Sequence, residues 1–128
     1  MKNISKSDYS VSKDLPRLDH FVIEVFEVSP LFIKDYNTIK NFVKILVSES
    51  GLRIVRETYH DFEPFGTTCI FILSSSHLSI HTWPESKYLH LDLLTCSKVK
   101  DINKIKKIIN DYFGTSNIKI TRIDYGRN

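Results

Sequence analysis

Apolar and polar residues alternate along DHFVIEVFEV, residues 19–28, with Phe21, Ile23 and Val25 on one side and Val22, Glu24 and Phe26 on the other, which predicts a strand. Ser29 and Pro30 then form a helix start signal, because a serine oxygen can accept from free backbone amides and proline suits the first helical turn. From there the period changes. Phe32, Tyr36, Ile39, Phe42, Val43 and Leu46 recur at three-and-four spacing, the buried stripe of a helix running to about Ser50, with Gly51 as its permissive C-terminal residue. Three or four strand-like segments follow in close succession: LRIVRETYHDF, TTCIFILS, HLSIHTW and KYLHLDLLTC. Their short connections predict antiparallel neighbours, since a parallel return needs a crossover of about a dozen residues. A second helix is expected from about Val99 to Phe113, with Ile102, Ile105, Ile108, Ile109 and Tyr112 inward, its lysines solvated and Gly114 at its end. IKITRIDY closes the chain as a last strand. This order predicts an α+β fold, an antiparallel sheet with two helices on one face. Residues 1–16 are polar and aperiodic and end at Pro16, the pattern of a flexible arm, which leaves 17–128 as a single domain.

One face of that sheet is too polar for an ordinary core. On HLSIHTW, Leu78 and Ile80 oppose His77, Ser79 and His81; on KYLHLDLLTC, Leu89, Leu91 and Leu93 oppose His90, Asp92 and Cys96. If the helices cover the aliphatic side, the other side collects His, Ser, Asp and Cys.

Composition narrows the function classes. A chain of 128 residues that is 41% hydrophobic has room for one core and not for two ordinary domains. Its formal charge of +3 is small and its lysines are dispersed, so the footprint of a nucleic-acid binder is weak and no nucleic-acid partner is expected. No apolar run approaches the roughly 18 residues of a membrane span, and MKNISKSDYSVSKD lacks the apolar stretch of a signal peptide. No membrane role and a cytoplasmic location are therefore expected. Cys69 and Cys96 give no disulfide framework.

Residue types alone leave several chemistries open. His77, His81 and Cys96 suggest zinc, but residues four apart in a strand sit about 13 Å from each other, too far for one ion bound at roughly 2 Å, so no metal is expected. A cysteine hydrolase using Cys96 and His81 is also conceivable, although nothing recognisable supplies its oxyanion donors. Taken singly, Ser76 reads as a strand-edge serine, His81 as a core histidine, Cys96 as a small buried hydrophobe and Glu85 as a solvated residue after a turn.

Taken together they sit in a longer motif. SSSHLSIHTWPE, residues 74–85, is followed by LDLLTC ending at Cys96 and preceded by YHDFEPFG, residues 59–66. This set resembles the prokaryotic S-adenosylmethionine decarboxylase proenzyme family, which is pyruvoyl-dependent, and the similarity runs from about Asp19 to Cys96 and more loosely through the second helix. The chemistry has a physical demand behind it: loss of carbon dioxide from an amino acid leaves a carbanion that no standard side chain can delocalise, whereas a carbonyl in a Schiff base with the substrate amine can.

The resemblance implies an S-adenosylmethionine decarboxylase-like sandwich and the following chemistry. The Ser76 hydroxyl attacks the Ser75 carbonyl, and the resulting ester eliminates and hydrolyses, cutting the chain between 75 and 76 and leaving a covalent pyruvoyl group at Ser76 as cofactor. His81 matches the processing base, a role suited to a group titrating near neutrality. Cys96 matches the thiol that returns a proton to the substrate carbon. Glu85 matches the acidic residue that holds the ribose hydroxyls, Phe62 the aromatic on which adenine stacks, and Leu78 a residue of the same pocket. The implied product feeds spermidine biosynthesis, and the implied assembly is a homodimer whose sheets face each other. Two positions depart from the family's usual pattern: Ser75 stands where glutamate or lysine is often found, and Thr68 where a processing serine is often found. Arginine or ornithine is an alternative substrate, and an unprocessed, non-enzymatic homologue that binds a paralogous subunit is an alternative of another class.

Overall fold

The computed structural model describes residues 15–99 and 101–127; most of the segment read above as a flexible arm lies outside the described residues. The first strand, β1 (Asp19–Val25), buries every second side chain, as its alternation requires. The first helix departs from expectation. Ser29 makes no side-chain cap, and Pro30–Phe32 forms only a 3₁₀ turn, leaving Phe32 46% exposed. The α-helix α1 (Tyr36–Glu49) starts later, where the Asp35 carboxylate accepts the Thr38 N–H at 3.0 Å and the Thr38 hydroxyl accepts the Asp35 N–H at 3.3 Å. That reciprocal pair satisfies free amides which a lone Ser-Pro signal does not, so it sets the start.

Four strands follow as an antiparallel meander: β2 (Ile54–Asp61), β3 (Thr67–Leu73), β4 (Ser76–Trp83) and β5 (Tyr88–Thr95). The second helix, α2 (Ile102–Phe113), begins three residues after Val99, capped by Asp101 and closed by Gly114 in the left-handed region at φ +68°. Val99 lies outside it, and its N–H donates to the buried Asp19 carboxylate at 2.8 Å, which ties this residue to the sheet. The last strand, β6 (Ile118–Arg122), is shorter than the alternation suggested. All pairings are antiparallel, and the sheet order is β2-β3-β4-β5-β1-β6, so β1 lies between β5 and β6.

Both helices pack on one face, as the sequence pattern predicts. Phe42, Val43 and Leu46 of α1 and Ile105, Ile109 and Phe113 of α2 share one hydrophobic cluster with Phe71, Leu78, Ile80, Leu89, Leu91 and Leu93 of the strands. Phe42 is its centre, with ring centroids 4.7 Å from Phe113 and 5.5 Å from Tyr112. Each such side chain contributes about 1.5–3 kcal/mol on burial. The opposite face carries His77, Ser79 and His81 on β4 and His90 and Asp92 on β5, together with exposed Ile70 and Ile72 on β3. Among the described residues no helix is long and apolar enough to cross a membrane.

Candidate active site

The turn between β3 and β4 consists of Ser74 and Ser75, because Leu73 and Ser76 are the last paired residues of that ladder. Ser76 is also paired with Thr95, which brings the end of β5 and Cys96 alongside the turn. The Ser75 carbonyl accepts the Cys96 N–H at 3.0 Å and faces the Cys96 thiol at 3.5 Å. Ser76 has φ +134°, a region that L-residues rarely adopt and that costs about 1–3 kcal/mol. The sequence gives no sign of either feature. A polarised carbonyl thus precedes a serine held in a strained backbone, with an exposed thiol 3.5 Å from the carbonyl oxygen.

A second group gathers at the far end of β4. Thr68 and His81 are cross-strand partners, and Thr68 Oγ1 lies 2.9 Å from His81 Nδ1. Phe62, Thr68, His81 and Glu85 line a cavity of about 260 Å³ with Phe65, Gly66, Thr82 and Trp83. Phe62 and Glu85 also border a larger cleft of about 640 Å³. Gly66 builds the loop that presents Phe62: at φ +101° its N–H donates to the Lys34 carbonyl at 2.7 Å and its carbonyl accepts the Phe62 N–H at 2.8 Å. Burial pushes the His81 pKa down, neighbouring His90 adds to this, and Asp92 opposes it. Neutral imidazole, the form that can take a proton, is thereby favoured. His90 is the cross-strand partner of His81, and its Nδ1 is buried with no hydrogen-bond partner among the described residues.

Of the residues singled out in the sequence, the structure therefore joins Ser75, Ser76 and Cys96 in one group and Phe62, Thr68, His81 and Glu85 in another. It does not join the two groups within one chain. Ser76 and His81 are five residues apart on one strand, about 16 Å at roughly 3.3 Å per residue. Leu78 belongs to neither by its side chain, which is fully buried on the helix face, so it could meet a ligand only through its main chain. Cys69 is buried, and burial pushes its thiol up to about 11, which leaves it unreactive. Among the described residues no cluster of His, Cys, Asp or Glu is placed to hold a metal ion.

Between the two groups the open face carries a feature that sequence reasoning missed. His20 places Nε2 3.0 Å from Asp92 Oδ1 and Nδ1 3.0 Å from the Tyr125 hydroxyl, although Tyr125 is 105 residues away. Strand register alone puts His20 beside β5, and no local pattern announces the tyrosine.

A family model described as S-adenosylmethionine decarboxylase matches residues 19–126. The S-adenosylmethionine decarboxylase proenzymes of Thermotoga petrophila and of Clostridium botulinum strain Langeland are each 32% identical over 108 residues; these cover 84% of this chain, and 83% and 93% of those proteins respectively. Among solved structures, the adenosylmethionine decarboxylase from Aquifex aeolicus shares the fold, with a TM-score of 0.74 at 23% identity over 88% of this chain and 98% of that one.

Proposed function

The chain belongs to the S-adenosylmethionine decarboxylase family, and from that membership we propose that it cleaves itself between Ser75 and Ser76 and then decarboxylates S-adenosylmethionine to the aminopropyl donor for spermidine biosynthesis. The observation that carries the cleavage step is the Ser75 carbonyl, hydrogen-bonded by the Cys96 N–H and preceding a strained Ser76. An amide aimed at a carbonyl oxygen stabilises the negative charge that develops there on attack. The Ser76 hydroxyl loses its proton to a base and its Oγ bonds to the Ser75 carbonyl carbon. The peptide C–N bond then breaks, and the nitrogen gains a proton. Loss of the Ser76 α-proton expels the Ser75 carboxylate from Cβ, and one water then releases ammonia. The products are a chain ending at Ser75 and a chain beginning with a pyruvoyl group at 76.

The surroundings of Ser76 fit such a group. It would stay in place because β4 remains laddered to β5, with the Cys96 thiol close to the cleavage turn. A pyruvoyl group there would supply what side chains lack, a carbonyl able to bond the substrate amine and accept the electron pair left by carbon dioxide. Cys96 returns a proton to the substrate carbon. Phe62 offers its half-exposed ring to adenine, Glu85 accepts from the ribose hydroxyls, and Leu78 contributes its main chain.

His81 cannot serve the Ser76 of its own chain across about 16 Å. Two copies packed open face to open face in opposite directions would lay the His81 end of one over the Ser76 end of the other, with Thr68 holding the imidazole. The same packing would cover Ile70 and Ile72. We therefore assign the working form to a homodimer with two shared sites. The comparisons favour S-adenosylmethionine over arginine or ornithine as substrate.

Co-expression tests this directly. Ser76→Ala and His81→Ala chains, each expressed alone, should stay intact. Expressed together, the His81→Ala chain alone should be cut, since its Ser76 meets the His81 of the other copy. Cutting of His81→Ala by itself, or no cutting in the mixture, rejects the shared site. Cutting of Ser76→Ala rejects the cleavage chemistry. Carbon dioxide release from S-adenosylmethionine, and not from arginine or ornithine, checks the substrate.

A further inference from the structure

The side chain of Ser75, one of the two departures from the family's usual pattern, is not idle. Its Oγ lies 3.2 Å from Thr95 Oγ1 and 3.0 Å from Ser97 Oγ. Thr95 is 1% exposed, and its hydroxyl also accepts the Ser97 N–H at 3.0 Å. Between these two residues sits Cys96, whose N–H holds the Ser75 carbonyl. Ser75 is thus tied to one three-residue segment by its side chain on either side and by its carbonyl in the middle. The segment is itself anchored at both ends. Thr95 is in the β5 ladder opposite both Ser76 and Asp19, and two residues beyond Ser97 the Val99 N–H donates to the Asp19 carboxylate, which also accepts from Arg122 at 2.9 Å.

Rigidity here has a chemical meaning. The attack on the Ser75 carbonyl needs that carbonyl's plane fixed relative to the Ser76 hydroxyl, and its oxygen kept on the amide that stabilises the developing charge. A residue hinged at its backbone alone can rotate its carbonyl away; one held also by its side chain cannot do so without breaking two further hydrogen bonds. We propose that Thr95 and Ser97 are positioning residues for self-cleavage, clamping the Ser75 side chain so that its carbonyl stays on the Cys96 amide while the Ser76 hydroxyl attacks. This rests on the cleavage reading above and deepens it. The clamp acts before the bond is cut. Turnover by the cut chain should not need the Ser75 hydroxyl.

The test separates the two stages. The full chain is made by cell-free translation, and the first-order rate of its cleavage is followed by mass spectrometry for wild type, Ser97→Ala and Ser97→Thr. After cleavage is complete, carbon dioxide release from S-adenosylmethionine is measured per cut chain. Ser97→Ala should cleave about tenfold more slowly, Ser97→Thr should recover most of the rate, and turnover per cut chain should remain within about twofold of wild type. Equal cleavage rates for Ser97→Ala and wild type overturn the clamp. So does a fall in turnover that matches the fall in cleavage, because a general structural defect would produce it. Unfolding midpoints of Ser76→Ala with and without Ser97→Ala separate a folding failure from the clamp: a lowered midpoint that accounts for the slow cleavage counts against the proposal. A wild-type chain that never cleaves sinks the underlying reading instead, and is recognised by the absence of any cut product.

Discussion

At the scale of single residues, two effects decide what the site can do. Burial, with His90 beside it, lowers the pKa of His81, so its imidazole stays neutral at pH values where an ordinary histidine, titrating near 6.5, is already charged. If His81 is the processing base, cleavage should be lost only as the pH falls below that ordinary value. His90→Gln removes the neighbouring charge and should move the acid limb of the cleavage profile upward, though not fully to the ordinary value because burial remains. A pH series of cleavage rates for the two chains checks this. The cysteines differ in the opposite sense: Cys69 is buried with its thiol pushed up to about 11, and Cys96 is exposed. A Cys96→Ala chain should therefore show no thiol reactive toward a disulfide reagent while folded, and one after unfolding; rapid native labelling would contradict the burial of Cys69. Much of this was legible beforehand, since the motif singles out His81 and Cys96. The partners were not. His90 meets His81 only through the pairing of β4 with β5, and Tyr125 reaches His20 across nearly the whole chain.

Element by element, the hydrophobic periods located the secondary structure, and polar contacts set its ends. The α1 start moved from Ser29 to Asp35 because a capping pair there satisfies amides that the earlier signal leaves free. Asp35→Ala should cost about 0.5–2 kcal/mol, read as a lower urea midpoint with unchanged slope in the uncleavable Ser76→Ala background. The loop after β2 makes a sharper case. Gly66 has φ +101°, and a Cβ there would lie 3.2 Å from the Thr82 carbonyl oxygen. Gly66→Ala should strain the turn by about 1–3 kcal/mol and shift Phe62. The expected result is a KM raised several-fold with a smaller loss of cleavage, because the Thr68–His81 pair is held by the β3–β4 ladder and not by this loop. Equal loss of both would mean that the loop supports the fold and not the substrate.

On the scale of the whole molecule, the controlling fact is a sheet with helices on one face and an open polar face on the other, with the candidate groups divided between the two ends of one strand. A chain carrying Ile72→Glu should fold, since Ile72 is 50% exposed, yet fail to pair and fail to cleave. Light scattering should then give a mass near 14.9 kDa in place of twice that value. A dimeric or self-cleaving Ile72→Glu chain would refute the facing arrangement. The amino-acid sequence by itself determined the α+β class, the antiparallel neighbours and the polar face, and it singled out Ser76, His81 and Cys96 as candidates, because strand and helix periods and a contiguous motif are local properties of the chain. Only the tertiary structure decided that β1 inserts between β5 and β6, that the Cys96 amide meets the Ser75 carbonyl, and that Thr95 and Ser97 hold the Ser75 hydroxyl. Those facts depend on pairing between strands far apart in sequence. The rise of a strand already implied that His81 lies beyond reach of Ser76 in the same chain, but the two halves of the site become visible only once Thr68, Phe62 and Glu85 are seen gathered at one end and Cys96 at the other.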